Sequence, residues 1–216
     1  MPELNAMKQW IKGAWIFFLV FLPWCAVPAY AKAPPVIVVV GDSLTAGYGL
    51  APQDAFPAKL QRHLKAMGKA VVVENAGVSG DTTGGGAARM AWSVGPSADA
   101  VILSLGANDA LRGLPPEQTR DNLAQMLTSL RARKLPVLLA GMRAPPNMGP
   151  EYASDFDRIY PELAKEFKVL LYPFFLDGVA GEASLNQQDM LHPTAAGVDV
   201  MVARITPYVL ELLSGL

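Results

Sequence analysis

Thiol and imidazole groups are scarce in this sequence, which has one cysteine and two histidines among 216 residues. A single cysteine cannot form a disulfide within the chain, and Cys25 lies in an N-terminal stretch that we expect the mature protein to lose. Without it, the mature chain has no thiol nucleophile and no cysteine ligand for a metal. Chemistry must then come from hydroxyl, imidazole, carboxylate or amide groups, and we expect neither a metal nor a cofactor.

An excess of charge of either sign is also lacking, because 18 Lys and Arg residues are balanced by 19 Asp and Glu residues. Such a balance gives no electrostatic attraction toward a nucleic acid backbone. Phosphate-binding glycine motifs are missing as well, since neither Gly-x-Gly-x-x-Gly nor the Walker pattern follows the first predicted strand. We therefore expect no nucleic acid partner. We also expect a small-molecule substrate and a monomeric protein.

The N-terminus has the pattern of a secretory signal peptide. Lys8 and Lys12 precede an apolar run at residues 14–22, and a small-x-small cleavage pattern ends at Ala31. This arrangement predicts a signal peptide at residues 1–31 and a bacterial protein that is periplasmic or secreted. Cleavage would change the formal net charge from −1 to −2, because it removes two lysines and one glutamate.

A membrane anchor is the alternative interpretation of the same segment. Pro23 interrupts the apolar run, which is shorter than the roughly 20 residues that a spanning helix needs. We therefore expect no stable membrane anchor after signal cleavage.

From residue 36 onward, short β-branched apolar runs alternate with segments of helical periodicity, as in parallel sheets whose strands are joined by crossover helices. The runs predict five strands, at residues 36–40, 71–73, 100–105, 137–140 and 169–172. Helices are predicted at residues 54–67, 117–134 and 194–213, and the second has an apolar stripe that we assign to the core: Leu123, Met126, Leu127 and Leu130. Residues 32–216 should form one α/β domain.

Ligands of an open parallel sheet bind at the carboxyl ends of its strands, so the residues that follow each strand are informative. The first three predicted strands are followed by GDSL at residues 41–44, NAGVSGD at residues 75–81 and GAND at residues 106–109. The last long loop ends with DMLHP at residues 189–193. These four segments should meet at one edge of the sheet.

A serine hydroxyl becomes a nucleophile when a base lies within hydrogen-bonding reach, usually an imidazole whose tautomer a third group fixes. His63 lies among polar residues of a predicted helix and should be solvated, whereas His192 lies in a loop. Because Asp189 precedes His192 by three residues, one short turn can hold the imidazole Nδ1–H and leave Nε2 for Ser43. Ser43, His192 and Asp189 are therefore candidate nucleophile, base and orienting residue.

Acyl transfer also needs hydrogen-bond donors for the oxyanion, and removing one typically lowers the rate about 100- to 1,000-fold. Asn108 offers a side-chain N–H, and Gly80 offers an unobstructed backbone N–H. Taken singly, each candidate also suits an ordinary role in a turn or a helix cap. Ser43 also lacks the second glycine of the Gly-x-Ser-x-Gly elbow of α/β-hydrolases.

Together, these segments resemble those of the SGNH or GDSL hydrolase family, whose four namesake residues match Ser43, Gly80, Asn108 and His192 in chain order. Within that family the resemblance is greatest to the bacterial exported branch of acyl thioesterases, lysophospholipases and arylesterases. The segments that carry this closer resemblance lie at residues 41–48, 79–82, 106–113 and 160–167.

The resemblance implies a flavodoxin-like, three-layer α/β/α fold with a five-stranded parallel sheet. It also implies a Ser43–His192–Asp189 triad and an oxyanion hole built from the N–H groups of Ser43 and Gly80 and the Asn108 side chain. The implied activity is hydrolysis of carboxylic esters or thioesters with apolar acyl or aryl groups. The glycine run at residues 84–86 has no role that the sequence assigns.

Apolar residues near the later strand ends are candidates for a substrate groove: Leu111, Met142, Pro145, Met148, Met190 and Leu191. The loop at residues 141–149 could cover an acyl or aryl group, because methionine adapts to varied shapes and proline limits disorder. The alternative is that these residues complete the edge of the core.

The sequence also allows three alternatives to an esterase or thioesterase with apolar substrates. A carbohydrate O-acetylesterase would use the same triad, but such enzymes usually need aromatic platforms, and Trp92 is the only tryptophan that remains after signal cleavage. A flavodoxin-like protein that binds a nucleotide or flavin would need a phosphate-binding motif, and neither glycine motif follows the first predicted strand. An inactive relative is disfavoured because every catalytic position is filled.

Overall fold

Residues 33–216 are described by the structure, a computed structural model, and the predicted signal peptide lies outside the described residues. The strands are β1 (Val36–Gly41), β2 (Val72–Gly77), β3 (Ala100–Ser104), β4 (Val137–Ala140) and β5 (Leu170–Tyr172). They form one parallel sheet in the order β2-β1-β3-β4-β5. This is the strand order of flavodoxin-like sheets, so the predicted α/β fold is confirmed.

Helices cover both faces of this sheet. They are α1 (Ser43–Ala46), α2 (Phe56–Ala66), α3 (Thr83–Ser93), α4 (Ala107–Leu111), α5 (Pro116–Ala132), α6 (Pro150–Asp157), α7 (Ile159–Phe167) and α8 (Ala195–Ser214). Helix α2 packs on α8, whereas α5 packs on both α3 and α7. None of the helices in residues 33–216 combines the length and the apolar character that crossing a bilayer requires.

The core lies along the central strands, because their continuous apolar runs leave no polar face. Ile37, Val39, Ile102 and Leu138 are fully buried between the two helical layers. The predicted stripe of α5 joins this core, since all four of its members are buried: Leu123, Met126, Leu127 and Leu130. Its assignment to the core is therefore confirmed.

The second strand differs most from its prediction. It runs to Gly77, so Asn75 and Ala76, which the sequence placed in a loop, belong to the strand and pair with Val39 and Val40. Polar residues are tolerated there because β2 is an edge strand with one side open to solvent. The carboxyl edge on this side therefore begins at Val78.

Helices α1, α3, α4, α6 and α7 are not among the predicted ones. Prolines at the starts of α6 and α7 resemble chain breaks in a sequence, although proline fits the first turn of a helix. In α3, the glycine run lowers helix propensity. Close packing explains the presence of one of these glycines, because a Cβ on Gly86 would overlap the side chain of Leu105.

Candidate active site

The four polar segments meet at the carboxyl edge of the sheet, as the parallel topology predicts. Hydrogen bonds connect them: His192 contacts Ser43, and the side chain of Asn108 reaches both Asp42 and Asp81. Residues 189–192 join this edge because the loop before α8 folds back onto the end of β1. The site thus combines residues up to 149 positions apart in the chain.

Ser43 is held at the start of a short helix. It begins α1 directly after β1, and the carboxylate of Asp42 caps that helix by accepting the N–H of Leu44 at 3.0 Å. Gly47 ends the helix in the left-handed region, at φ 86°. Because its backbone is fixed at both ends of one turn, the Ser43 side chain has a defined direction, and the residue is 9% exposed.

His192 lies between a carboxylate and the serine hydroxyl. Its Nε2 is 2.9 Å from Ser43 Oγ, and its Nδ1 is 2.7 Å from Asp189 Oδ2. The other Asp189 oxygen accepts the backbone N–H groups of Leu191 and His192, both at 3.0 Å. The bond from the imidazole and these two backbone bonds lower the pKa of Asp189 to about 2.

The tautomer of His192 follows from this arrangement. An ionised carboxylate only accepts hydrogen bonds, so Nδ1 must carry the proton and Nε2 faces Ser43 as an acceptor. Met190 allows the turn by adopting a left-handed backbone conformation at φ 58°. The other histidine, His63, is exposed on α2, as expected.

Tyr48 covers the imidazole on one side. Its ring centroid lies 4.6 Å from that of His192, with the two planes tilted by 38°. The carbonyl of Tyr48 accepts a hydrogen bond of 2.8 Å from Gln187 Nε2, which ties this residue to the loop that carries His192. Tyr48 cannot be recognised as a site residue from the sequence, because an aromatic residue five positions after a serine carries no signal by itself.

Asn108 and Gly80 lie on the other side of the serine. Asn108 Nδ2 donates to the carbonyl of Asp81 at 2.9 Å and approaches Asp42 Oδ2 at 3.4 Å. Gly80 has a φ of 84°, a conformation that disfavours residues with a Cβ. Within residues 33–216, no carbonyl or side-chain acceptor takes the backbone N–H of Ser43 or Gly80. Both groups can therefore donate to a ligand.

Asp42 is a buried carboxyl group beside this donor set. It is 1% exposed, and burial, the largest influence, raises its pKa to about 6. The bond from the Leu44 N–H and the charge of His192 act in the opposite direction. The sequence shows Asp42 next to Ser43, but its burial depends on how α3 and α4 cover the end of β1.

A second buried carboxylate fixes the start of α4. Asp109 accepts the backbone N–H of Thr83 at 2.8 Å and its hydroxyl at 2.5 Å. The Thr83 hydroxyl in turn accepts from Asn122 Nδ2 at 3.0 Å. Because Asp109 follows Asn108 directly, these bonds connect the Asn108 backbone to the start of α3. The sequence placed Asp109 at a strand end but did not single it out.

An apolar cleft of about 440 Å³ opens beside Ser43. Five of the six predicted groove residues line it: Leu111, Met142, Pro145, Met190 and Leu191. Phe174 also lines it and lies under the guanidinium of Arg143, 4.9 Å from the ring centroid. The cleft can therefore receive an apolar group next to the serine hydroxyl.

Met148 does not line this cleft. The two prolines before it start a 3₁₀ turn, Pro146–Met148, which directs the residue to a separate depression shared with Pro116 and Tyr152. Of the loop at residues 141–149, only the part from Met142 to Pro146 lines the cleft, and Met142 is 5% exposed.

Metal-ligating side chains are not clustered in this region. Among residues 33–216, no group of three His, Cys, Asp or Glu side chains is arranged to hold a metal ion. The arrangement instead provides a proton acceptor at a hydroxyl, free N–H donors nearby and an apolar cleft. These are the elements needed to attack an acyl carbonyl and to stabilise the resulting oxyanion.

A family model described as "GDSL-like Lipase/Acylhydrolase family" matches residues 39–200. Esterase TesA of Pseudomonas aeruginosa is 40% identical over 182 residues, which cover 84% of this chain and 90% of that protein. An arylesterase of Vibrio mimicus is 39% identical, and the match covers 76% of this chain and 83% of that protein. Thioesterase 1/protease 1/lysophospholipase L1 of Escherichia coli K12 is 38% identical, and the match covers 89% of this chain and 88% of that protein.

Solved structures are similar as well. The crystal structure of TesA superposes with a TM-score of 0.78 at 40% identity, covering 82% of this chain and 99% of that chain. AlinE4, an esterase of the SGNH-hydrolase family, superposes with a TM-score of 0.70 at 46% identity, and the match covers 83% of this chain and 97% of that chain. The similarity therefore extends across nearly the whole described fold.

Proposed function

The chain belongs to the GDSL-like lipase/acylhydrolase family, and on that premise we propose that Ser43, His192 and Asp189 are its catalytic triad. The protein is an ester hydrolase of the SGNH type, and its substrates are small-molecule carboxylic esters or thioesters. The observation that supports the triad most directly is the continuous hydrogen-bonded chain from Asp189 through His192 to Ser43, with distances of 2.7 and 2.9 Å.

In this proposal His192 acts first as a base and then as an acid. Nε2 takes the proton of the Ser43 hydroxyl as Oγ attacks the acyl carbonyl. The N–H groups of Ser43 and Gly80, together with the Asn108 N–H that is not bonded to the Asp81 carbonyl, stabilise the oxyanion. His192 then gives its proton to the departing alcohol or thiol, which leaves an acyl ester on Ser43. Water, deprotonated by the same nitrogen, then attacks the carbonyl of the acyl ester. His192 returns this proton to Ser43 Oγ as the bond to the acyl group breaks, which releases the carboxylic acid and restores the serine.

Asp189 supports both steps by holding the imidazole in the tautomer that leaves Nε2 free. Its negative charge also stabilises the imidazolium that forms when His192 takes a proton. The low pKa of Asp189 keeps this charge in place throughout the pH range in which the imidazole can act as a base.

The cleft favours apolar acyl or aryl groups. Side chains of leucine, methionine, proline and phenylalanine line it next to Ser43. Carbohydrate deacetylation is supported less well, because Trp92 is 72% exposed and does not line the cleft. An aryl ester, an acyl thioester and a lysophospholipid each present an apolar group of the kind that this cleft fits.

The N-terminal sequence supports an exported enzyme. A basic start, a short apolar run and a small-x-small pattern together form the proposed signal peptide at residues 1–31. The mature enzyme then begins at residue 32 and acts in the periplasm or outside the cell, as a monomer without a membrane anchor.

The test compares wild type with Ser43→Ala on p-nitrophenyl esters, acyl-CoA and lysophosphatidylcholine. We expect hydrolysis by wild type and a loss of at least about 1,000-fold in kcat for Ser43→Ala.

A p-nitrophenyl phosphonate should modify wild type at Ser43, as mass spectrometry of the digested protein can show. Ser129→Ala, an exposed change on α5, is the matched control and should keep wild-type rates. Retention of most activity by Ser43→Ala would overturn the proposal.

A further inference from the structure

One buried arginine contacts several parts of the proposed site at once. Arg89 of α3 is 6% exposed, and its guanidinium group uses four of its five N–H donors. Nε donates to Asp81 Oδ2 at 2.6 Å, and Nη2 donates to the carbonyl of Gly41 at 2.8 Å. Nη1 donates to the carbonyl of Ala76 at 2.7 Å and to Ser93 Oγ at 2.8 Å. A buried cation is thus almost fully paired.

Three of the four partners of Arg89 lie where the site is assembled. Gly41 ends β1, two residues before the nucleophile, and Ala76 lies in β2, four residues before Gly80. The third partner, Asp81, directly follows Gly80 in the chain. The guanidinium therefore joins the end of the strand that leads to the nucleophile to the loop that carries one proposed oxyanion donor.

Asp81 extends this connection to the second side of the oxyanion hole. Its carboxylate pairs with Arg89, while its backbone carbonyl accepts the side-chain N–H of Asn108 at 2.9 Å. A shift of Asp81 would move the Gly80 peptide and would also remove the acceptor that orients Asn108. Both donors therefore depend on the position of a residue that Arg89 holds.

We propose that Arg89 is a positioning residue that fixes the distance between Ser43 and its oxyanion donors by holding Gly41 and Asp81 on one guanidinium group. The inference rests on the proposed function, because it assumes that Gly80 and Asn108 stabilise an oxyanion on the acyl group attacked by Ser43. Arg89 touches neither substrate nor the reacting atoms. Its effect on the reaction passes through the backbone of Gly41 and Asp81.

Geometry gives the reason why this position requires arginine. The donors of a guanidinium group point in fixed, coplanar directions, so they can meet a carboxylate and two backbone carbonyls at the same time. A lysine keeps the charge but has a single nitrogen, which cannot reach partners on both strands with good angles. Misplacement of catalytic groups by about 1 Å can cost about 100-fold in rate.

A purely structural role is the competing explanation, and the chain offers as a control a second arginine with backbone partners, at an exposed position. Arg133 also donates to two backbone carbonyls, those of Val94 at 2.6 Å and Gly95 at 2.7 Å. These bonds join the end of α5 to the end of α3, away from the nucleophile. A change at Arg133 should therefore lower stability without changing the oxyanion donors.

The experiment compares Arg89→Lys with Arg133→Lys in the full-length enzyme. For each variant, kcat and KM for p-nitrophenyl butyrate are measured per Ser43 site, with sites counted by complete reaction with a p-nitrophenyl phosphonate. We expect Arg89→Lys to lower kcat at least about tenfold, with KM changed less than about threefold. The rate of phosphonate reaction should fall in parallel, because its transition state uses the same donors. Arg133→Lys should keep both rates.

Asp81→Asn provides a second variant if Arg89→Lys does not fold. It keeps Arg89 and its bonds to Gly41 and Ala76 but weakens the contact at Asp81, so kcat should fall about threefold or more with KM nearly constant. Equal kcat per site in the Arg89 or Asp81 variant and in Arg133→Lys would overturn the inference. Activity in Ser43→Ala would instead overturn the proposed function, so the two failures are distinguishable.

Discussion

Asp189 holds His192 at two points, because one carboxylate oxygen lies 2.7 Å from the imidazole Nδ1 and the other accepts the His192 backbone N–H at 3.0 Å. Both contacts occur within a turn of four residues. The aspartate therefore fixes the position of the histidine backbone and the orientation of its ring together. In serine hydrolases of other folds the acid and the base of the triad lie tens of residues apart in the chain.

Replacing the carboxylate of Asp189 by an amide should remove most of the activity. In Asp189→Asn, an amide N–H facing Nδ1 favours the tautomer with the proton on Nε2, which cannot accept the Ser43 proton. We expect kcat to fall about 100- to 10,000-fold with little change in KM. Asp177→Asn, which removes a similarly exposed carboxylate that pairs with Arg204, is the control and should leave kcat unchanged. Wild-type kinetics in Asp189→Asn would contradict the assigned role.

Asp42 should make stability depend on pH between about 4 and 6. Its pKa is raised from 3.8 to about 6, so in this range the folded state holds a proton that the unfolded state has lost. The free energy of unfolding therefore falls as the pH rises through the window, by at most about 3 kcal/mol. At pH 4 the effect is nearly absent, and above pH 6 it is complete.

The variant Asp42→Asn tests this dependence. Its amide oxygen can still cap α1 through the Leu44 N–H, but it cannot ionise. Urea denaturation at pH 4, 6 and 8 should show equal stability of the two proteins at the lowest pH and greater stability of the variant at the highest. A difference that stays constant across the three pH values would contradict burial as the cause.

The proposed oxyanion donor at Gly80 can be tested with a second glycine of similar conformation. Gly80 and Gly68 have φ values of 84° and 75°, and a Cβ at either position would meet no atom closer than 3.8 Å. Alanine should therefore cost about 1 kcal/mol of stability at both sites through backbone strain. Only Gly80→Ala adds a methyl group next to a proposed oxyanion donor, so only its kcat should fall, by about tenfold or more.

Thermal unfolding and steady-state kinetics of the two variants provide the measurement. Matching losses of Tm with a selective loss of kcat in Gly80→Ala would support the assignment. If Gly68→Ala lost as much kcat, or if neither variant did, the donor role of Gly80 would be wrong.

Chain-length selectivity should depend on Met142 but not on Met148. Met142 lines the cleft beside Ser43, whereas Met148 lies in a different depression. Trimming Met142 to alanine removes contacts with acyl chains long enough to reach it, so kcat/KM for p-nitrophenyl octanoate should fall about tenfold relative to acetate. Met148→Ala should keep the wild-type profile across esters of two to ten carbons. Identical profiles in both variants would show that acyl chains do not occupy this cleft.

Several elements of the fold could be predicted because their pattern is local. Each strand contains a short apolar run, and the stripe of α5 repeats at helical spacing, so neighbouring residues suffice to identify them. Helix α3 could not be predicted because its glycines have low helix propensity. The reason for Gly86 lies in tertiary packing, since a Cβ there would overlap the side chain of Leu105. The extent of β2 was missed because an edge strand tolerates polar residues such as Asn75.

The candidate site divides in the same way. The sequence by itself determined the chemistry, because parallel strands bring their carboxyl ends to one edge and the polar segments follow those strands. The distances of Ser43 from His192, the burial of Asp42, the pairing of Arg89 and the absence of Met148 from the cleft were decided by tertiary structure. Each depends on contacts between segments tens of residues apart, and only packing of the whole chain sets such contacts.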